Sequence, residues 1–316
     1  MREPRPNPVP LGRTAQRLTW PFLPPNVRSL VERRCGSPVV DAESQGGGFT
    51  PGFASVLTCV DGTRHFVKAA SAVAQPVFAD SYREEARKLG GLSDAVPAPR
   101  LLWSLDDDWV VLGIEHVDAR LPRRPWSRAD LDRVLATLAQ TAAALTPPPE
   151  GLALDTFADE YAAFAGMWDK LRAERPDLQH IDEAQALAVR FAEVTAGDTL
   201  VHTDVRDDNI LLGDDGRTWL CDWNWPVTGA AWLDTVFFLV APRGDGHDVD
   251  ALLAELPLTR DVPAESIDVA LALVTGYFLR QAGQPVPPTS PHLRAHQGWY
   301  AEVCWDWLSE RRGWSA

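Results

Sequence analysis

Within residues 201–212 the chain reads His202-Thr203-Asp204-Val205-Arg206-Asp207-Asp208-Asn209, a His-x-Asp-x-x-x-x-Asn pattern, and Asp222 stands ten residues after Leu212. Between Asn209 and Asp222, two short runs at 210–212 and 218–222 flank Gly213-Asp214-Asp215-Gly216 and predict a small hairpin. A hairpin there sets Asn209 and Asp222 side by side at its open end, with Asp204 a few residues upstream. Phosphoryl transfer needs that set of side chains. One carboxylate accepts or orients a hydroxyl, a neutral Asn oxygen holds Mg²⁺ without surplus charge, and a second carboxylate carries metal against phosphate. Asp204, Asn209 and Asp222 supply these parts in that order. By themselves, Asp204 and Asn209 also fit as turn residues capping local backbone.

The rest of the chain divides in two. From Val39 to Val117 the pattern is strands with one helix. Residues 54–60 and 63–69, rich in Val, Phe and Thr, flank Asp61-Gly62 and predict a hairpin with a type I′ turn. Residues 80–92 have helical spacing, with Tyr82, Ala86 and Leu89 on one face, and Pro97 and Pro99 end the segment. Two more strands, 100–105 and 109–116, meet at Asp106-Asp107-Asp108. Past Val117 the pattern becomes helical. Ser127-x-x-Asp130 is a capping signal ahead of Leu131, Val134, Leu135, Leu138, Ala142 and Leu145. Residues 157–172, 182–194 and 235–240 predict further helices, and 248–314 is helical apart from a loop at 284–291. The fold class is therefore α+β.

Composition narrows what such a chain meets. A formal net charge of −14 disfavours nucleic acid, which demands clustered cations, and makes a cationic partner easier to accommodate. No apolar stretch approaches the ~20 residues of a membrane helix, so no membrane span is expected. Residues 1–20 mix Arg with Pro, have no apolar core of a secretory signal, and are expected to form a loose arm. The four cysteines Cys35, Cys59, Cys221 and Cys304 lie far apart without Cys-x-x-Cys spacing, which argues against zinc and disulfides and fits a reducing cytoplasm. Lys68, Lys88 and Lys170 are the only lysines among 30 Lys and Arg, so each marks a place where a compact ammonium is needed.

Over residues 39–234 these features resemble the aminoglycoside phosphotransferase and choline-kinase-like family. The resemblance implies a two-lobed protein-kinase-like fold: an arm and leading helix at 1–38, a strand-rich lobe over ATP at 39–116, and a larger, mainly helical lobe at 117–316. It implies ATP and Mg²⁺ as cofactors. Gly47 and Gly48, in Gly46-Gly47-Gly48-Phe49-Thr50-Pro51-Gly52, look like the turn covering phosphates. Lys68 looks like the phosphate lysine, and Glu85 like its helix partner, with adjacent Glu84 the competitor. Glu115 and Val117 resemble the hinge that meets adenine, Asn209 and Asp222 the metal ligands, and Asp204 the catalytic carboxylate. Arg206 either neutralises the transferring phosphoryl group or forms a salt bridge to Asp207 or Asp208. His202 reads as structural, and Asp234 as an anchor for the catalytic loop.

Two departures point away from protein kinases: Thr203 replaces the Arg before the catalytic Asp, and Asp222-Trp223-Asn224 replaces Asp-Phe-Gly. The 11 residues between Asp222 and Asp234 leave no room for an activation loop. The expected acceptor is thus a small-molecule hydroxyl. Ten Asp against three Arg in residues 201–250 suit a polyamine-like or aminoglycoside substrate, and metal binding accounts for part of that balance equally well; other sugars and amino alcohols stay open as acceptors. The rival is a nucleotide-binding module without catalysis, and a protein kinase ranks below it.

Overall fold

The computed structural model describes residues 3–12 and 14–314. Strands β1 (Val39–Ser44), β2 (Phe53–Cys59), β3 (Arg64–Ser71), β4 (Leu101–Asp106) and β5 (Trp109–Glu115) form one antiparallel sheet in the order β1-β2-β3-β5-β4. Because alternate strand residues face opposite sides, Phe53, Leu57, Val67 and Ala69 pack on Val27 and Val31 of helix α1 (Pro25–Cys35). The other face, with Ala70, Leu112 and Ile114, meets Ala79, Tyr82 and Leu89 of helix α2 (Pro76–Gly90). That two-sided burial explains why β2 and β3 are nearly continuous in apolar and small residues.

The β2–β3 turn differs from expectation. A type I′ turn needs positive φ at both central residues, but of Asp61 and Gly62 only Gly62 has it, at +83°. Asp61 instead keeps a negative φ while its carboxylate accepts from the backbone N–H and hydroxyl of Thr63. Gly62 N–H donates to the Cys59 carbonyl, a tight turn closed by a left-handed glycine.

The second half begins with α3 (Arg128–Ala144), whose cap is Ser127 Oγ accepting from Asp130 N–H at 3.1 Å. The expected helix over 157–172 is broken into α4 (Phe157–Glu160), α5 (Ala162–Ala165) and α6 (Met167–Glu174), with breaks at Tyr161 and Gly166. The 182–194 segment likewise divides into α7 (Ile181–Ala188) and α8 (Phe191–Thr195). Two small antiparallel ladders follow. The β7 (Ile210–Leu212) and β8 (Thr218–Leu220) hairpin was expected. The pairing of β6 (Thr199–Val201) with β9 (Val227–Gly229) was not, since no turn signal links two three-residue strands that lie 25 residues apart. Helices α9 (Leu233–Phe238), α10 (Val240–Gly244), α11 (Val249–Glu255), α12 (Ala264–Ala282) and α13 (Leu293–Arg312) complete the larger lobe. Among the described residues no helix is long and apolar enough to cross a membrane.

The expected loose arm is instead laid along both lobes. Arg5 N–H donates to Gly244 O at 2.7 Å, Trp299 Nε1 donates to Arg5 O at 3.0 Å, and Thr14 N–H reaches Gly46 O at 2.7 Å. Val9 is buried.

Candidate active site

Alternation along β3 turns Lys68 toward the cleft, and helical spacing on α2 turns Glu85 to meet it. Lys68 Nζ lies 2.7 and 2.8 Å from the two Glu85 oxygens and 2.6 Å from Asp222 Oδ1. Burial disfavours the Lys68 charge, but Asp222 and Glu85 together hold its pKa above the ordinary lysine value. Burial pushes the Glu85 carboxyl up against the pull of Lys68. Burial acts on Asp222 in the same direction, but the Lys68 ammonium outweighs it and keeps Asp222 below the usual carboxylate range. Glu84 is excluded as the partner. It is exposed and paired with Arg87 at 2.7 Å.

The loop after β6 is bent by Thr203, a β-branched residue at φ +65°, a conformation that costs energy unless its surroundings impose it. Asp234, in the first turn of α9, imposes it: its two oxygens accept the backbone N–H groups of His202 and Thr203, each at 2.7 Å. Thr203 Oγ accepts from Tyr161 OH at 2.7 Å and donates to Trp225 O at 3.0 Å. The break at Tyr161 that ends α4 thus serves this loop. Asp234→Ala removes both acceptors and leaves two N–H groups unpaired. The expected cost is roughly 2–5 kcal/mol in denaturant unfolding. The lower part of that range is favoured because burial already raises the Asp234 pKa.

His202 has the structural role expected of it. Its Nε2–H donates to Cys221 O at 2.9 Å, its Nδ1 accepts from Asp204 N–H at 3.2 Å, and its ring meets Trp223 edge-on. Burial lowers its pKa, so the ring stays neutral in this arrangement. Asp204 is fixed on both sides: Oδ1 lies 3.0 Å from Arg206 Nη1, and Oδ2 accepts from Asn209 Nδ2 at 3.0 Å. Burial pushes Asp204 up to about 7, against the pull of Arg206.

Pairing of Ile210 with Leu220 places Asn209 and Cys221 opposite each other, and Cys221 N–H donates to Asn209 O at 2.8 Å. Asp222 then turns inward at φ +68°. Asn209 Nδ2 is spent on Asp204, while Lys68 and Asn224 Nδ2 both converge on Asp222 Oδ1. Asn209 Oδ1 and Asp222 Oδ2 remain without protein partners among the described residues. These two oxygens suit a hard cation. Arg206 pairs with Asp204 and also with Asp208, 3.0 Å from Nε, whereas Asp207 is taken by Arg124.

Between the lobes is a cleft of about 340 Å³ lined by Gly47, Gly48, Lys68, Glu85, Glu115, Val117, Asn209 and Asp222. Asp204 and Arg206 lie outside that lining. Glu115 N–H is used by Arg100 O at 2.8 Å and its side chain pairs with Arg100, while Val117 N–H has no partner among the described residues.

Pro51-Gly52 departs from the usual glycine spacing for a packing reason. A Cβ on Gly52 would lie 2.6 Å from Tyr82 OH and 3.1 Å from Ala69 O. Gly52→Ala is therefore expected to lower stability by about 1–3 kcal/mol in thermal or denaturant unfolding.

The site also uses residues that sequence reasoning missed. Arg17 donates to Gly47 O, and at 3.4 Å to Gly52 O, while Thr14 Oγ donates to Gly48 O. From the other lobe, Ser290 Oγ donates to Phe49 O at 2.6 Å, and the Phe49 ring packs on His296 and under the Arg206 guanidinium. The arm has no periodic signal to reveal Arg17. Asn224 was visible in Asp222-Trp223-Asn224, but its bridge between Asp222 and Ser81 was not.

This constellation agrees with comparison at family level: the model described as phosphotransferase enzyme family matches residues 54–265. The chain belongs to this family. As a family member it is a phosphotransferase, and its match covers Lys68, Glu85, Asp204, Asn209 and Asp222 alike. Solved structures share the fold at low identity. A spectinomycin phosphotransferase solved with ADP and spectinomycin is 12% identical, with 92% of this chain and 100% of that one covered at TM-score 0.60. A choline kinase from Streptococcus pneumoniae is 13% identical, covering 89% and 99% at TM-score 0.58. An aminoglycoside phosphotransferase from Alicyclobacillus acidocaldarius is 16% identical, covering 87% and 92% at TM-score 0.56. No curated protein matches the chain.

Proposed function

We propose that this phosphotransferase holds ATP and Mg²⁺ in the interlobe cleft and passes the terminal phosphoryl group to a hydroxyl of a small cationic or sugar-like molecule, with Asp204 orienting and deprotonating that hydroxyl. The observation that carries the reading is the convergence of Lys68, Glu85 and Asp222 from three elements beside the Asp204–Asn209 pair. In this reading Lys68, steadied by Glu85, meets phosphate oxygens, and Gly47 and Gly48 cover them with backbone N–H groups. The Glu115 carbonyl and Val117 N–H meet the adenine edge. Asn209 Oδ1 and Asp222 Oδ2 hold the metal, since an all-oxygen pair fits a hard cation. Bound Mg²⁺ would neutralise charge on the phosphates. Arg206 supplies positive charge next to Asp204, and Asp208 keeps it there. A cytoplasmic location fits the demand for ATP.

An aromatic cluster near Asp204 is consistent with a cationic acceptor. Tyr161 and Phe164 meet edge to face at 5.0 Å, and Phe164 stacks on Tyr277 at 4.1 Å. Both tyrosines lie within the field of the Asp204 carboxylate. Aromatic faces beside a carboxylate favour an ammonium-bearing alcohol. Two solved neighbours are named for spectinomycin and choline, and such compounds are the first to try.

The test is transfer from labelled ATP with Mg²⁺ to a panel of aminoglycosides, amino alcohols, sugars and a generic protein. Label on a small hydroxyl compound and none on the protein is the expected result. Nucleotide binding without transfer across the panel would favour the non-catalytic module.

A further inference from the structure

Spacing along the chain keeps Cys35 and Cys59 24 positions apart, but the fold brings them together. Cys35 ends α1, Cys59 ends β2 and His65 is the second residue of β3, all on the face of the sheet that α1 covers. One ligand atom from each of the three lies within 4.8 Å of the other two, and among the described residues no other His, Cys, Asp or Glu trio is so arranged. Cys59 is buried, and Cys35 and His65 are half-buried. Both His65 ring nitrogens are sealed from solvent and neither has a hydrogen-bond partner. A neutral imidazole carries one donor and one acceptor, and buried polar atoms are nearly always satisfied. Two idle nitrogens beside two thiols are what a missing ligand would explain.

We propose that Cys35, Cys59 and His65 form a site for a thiophilic d¹⁰ cation, Zn²⁺ or Cu⁺, that ties the end of α1 to the β2–β3 hairpin. Two thiolates and an imidazole are the donor set such ions select. With bonds of ~2.3 Å to sulfur, two ligands of a tetrahedral ion lie about 3.8 Å apart, inside the observed envelope. Zn²⁺ completes its shell with water, and Cu⁺ is content with three ligands. Binding exchanges two thiol protons for two metal–sulfur bonds and releases the protons to solvent, with no change of oxidation state. Both thiols must lose their protons on binding, so affinity rises with pH. A disulfide would use the sulfurs but leave His65 idle.

The site lies across the sheet from the cleft, on the face that α1 covers, and shares no ligand with the hard-cation oxygens proposed there, which makes the two separable. The reduced, chelator-treated full chain would be titrated with Zn²⁺, with Cu⁺ under anaerobic reducing conditions, and with Co²⁺ as the spectroscopic probe. One equivalent is expected, together with proton release, a thiolate-to-cobalt charge-transfer band and a higher melting temperature. Cys59→Ser and His65→Ala should each weaken binding by about 100-fold or more, and Asp222→Asn should leave it unchanged. Retention of the metal in both site variants, or its loss in Asp222→Asn, would move the ion elsewhere and overturn the proposal. If the variants fail to fold, the parent's cobalt spectrum decides, and absence of the charge-transfer band overturns it. A Cys35–Cys59 disulfide in the protein isolated under reducing conditions, found by mass spectrometry, would overturn it as well.

Discussion

Asp204→Asn is expected to lower turnover ~10²- to 10⁴-fold, the usual consequence of removing a positioned general base, while nucleotide affinity and fold stay near the parent's. The geometry supports that separation. The Asn oxygen can still accept from Asn209 Nδ2, and Arg206 keeps Asp208 at 3.0 Å when its second partner becomes neutral. The oxygens proposed to hold metal, Asn209 Oδ1 and Asp222 Oδ2, are not touched by the change. Burial that pushes Asp204 up to about 7 matches its basicity to neutral operating conditions, where a general base is most useful. A loose transition state asks for little early proton transfer, which sets the expectation toward the lower end of the range. Steady-state kinetics with an acceptor found by the panel, and calorimetry of Mg-nucleotide on the same preparations, make the comparison. Parental turnover would remove Asp204 from the chemistry.

How much of this could be read in the sequence depended on whether the contact follows a local period. The β7–β8 hairpin was legible because Gly213 to Gly216 interrupts two apolar runs, and once it forms Asn209 and Asp222 must be neighbours. Lys68 and Glu85 were legible as a pair through the family resemblance, but periodicity alone could not choose between Glu84 and Glu85. Burial made the choice, since Glu84 faces solvent and Glu85 faces the cleft. Asp234 was legible by its place at the start of a helix. What stayed hidden travels through backbone carbonyls or between distant segments. Arg17 grips Gly47 and Gly52 through their carbonyl oxygens, contacts that any sequence at those positions could offer. The arm's docking therefore leaves no mark in its sequence. The meeting of Cys35 with Cys59 arises from α1 crossing the sheet, a tertiary fact with no local spacing. The continuous helix expected over 157–172 is broken at Tyr161 and at Gly166, and the Tyr161 hydroxyl reaches Thr203, a contact between distant segments that helical pattern does not carry.

Removing the charge of Asp222 should have the second large effect, of a different kind from that of Asp204. Loss of partners around a metal ligand typically costs 10–100-fold in affinity, and loss of the ligand charge itself is expected to exceed about 100-fold. Asp222→Asn should therefore abolish Mg-dependent nucleotide binding at micromolar concentrations and, with it, transfer. The choice of Asn over Ala matters for the fold. Buried Lys68 and Glu85 and half-buried Asp222 form a group with one positive and two negative charges. Removing one partner of a buried ion pair is ordinarily costly because it strands the other charge. Here Lys68 keeps both Glu85 oxygens, and Glu85 loses a like charge that had been raising its pKa. The Asn oxygen can still accept from Lys68 and from Asn224. Thermal melting without nucleotide should accordingly stay close to the parent's, whereas the stabilisation that Mg-nucleotide gives the parent by mass action should vanish. Two measurements decide the matter: melting curves with and without Mg-nucleotide, and calorimetric titration with Mg²⁺ present or chelated. Parent-like affinity that persists in Asp222→Asn and still requires Mg²⁺ would place the metal on other oxygens and remove Asp222 from the site.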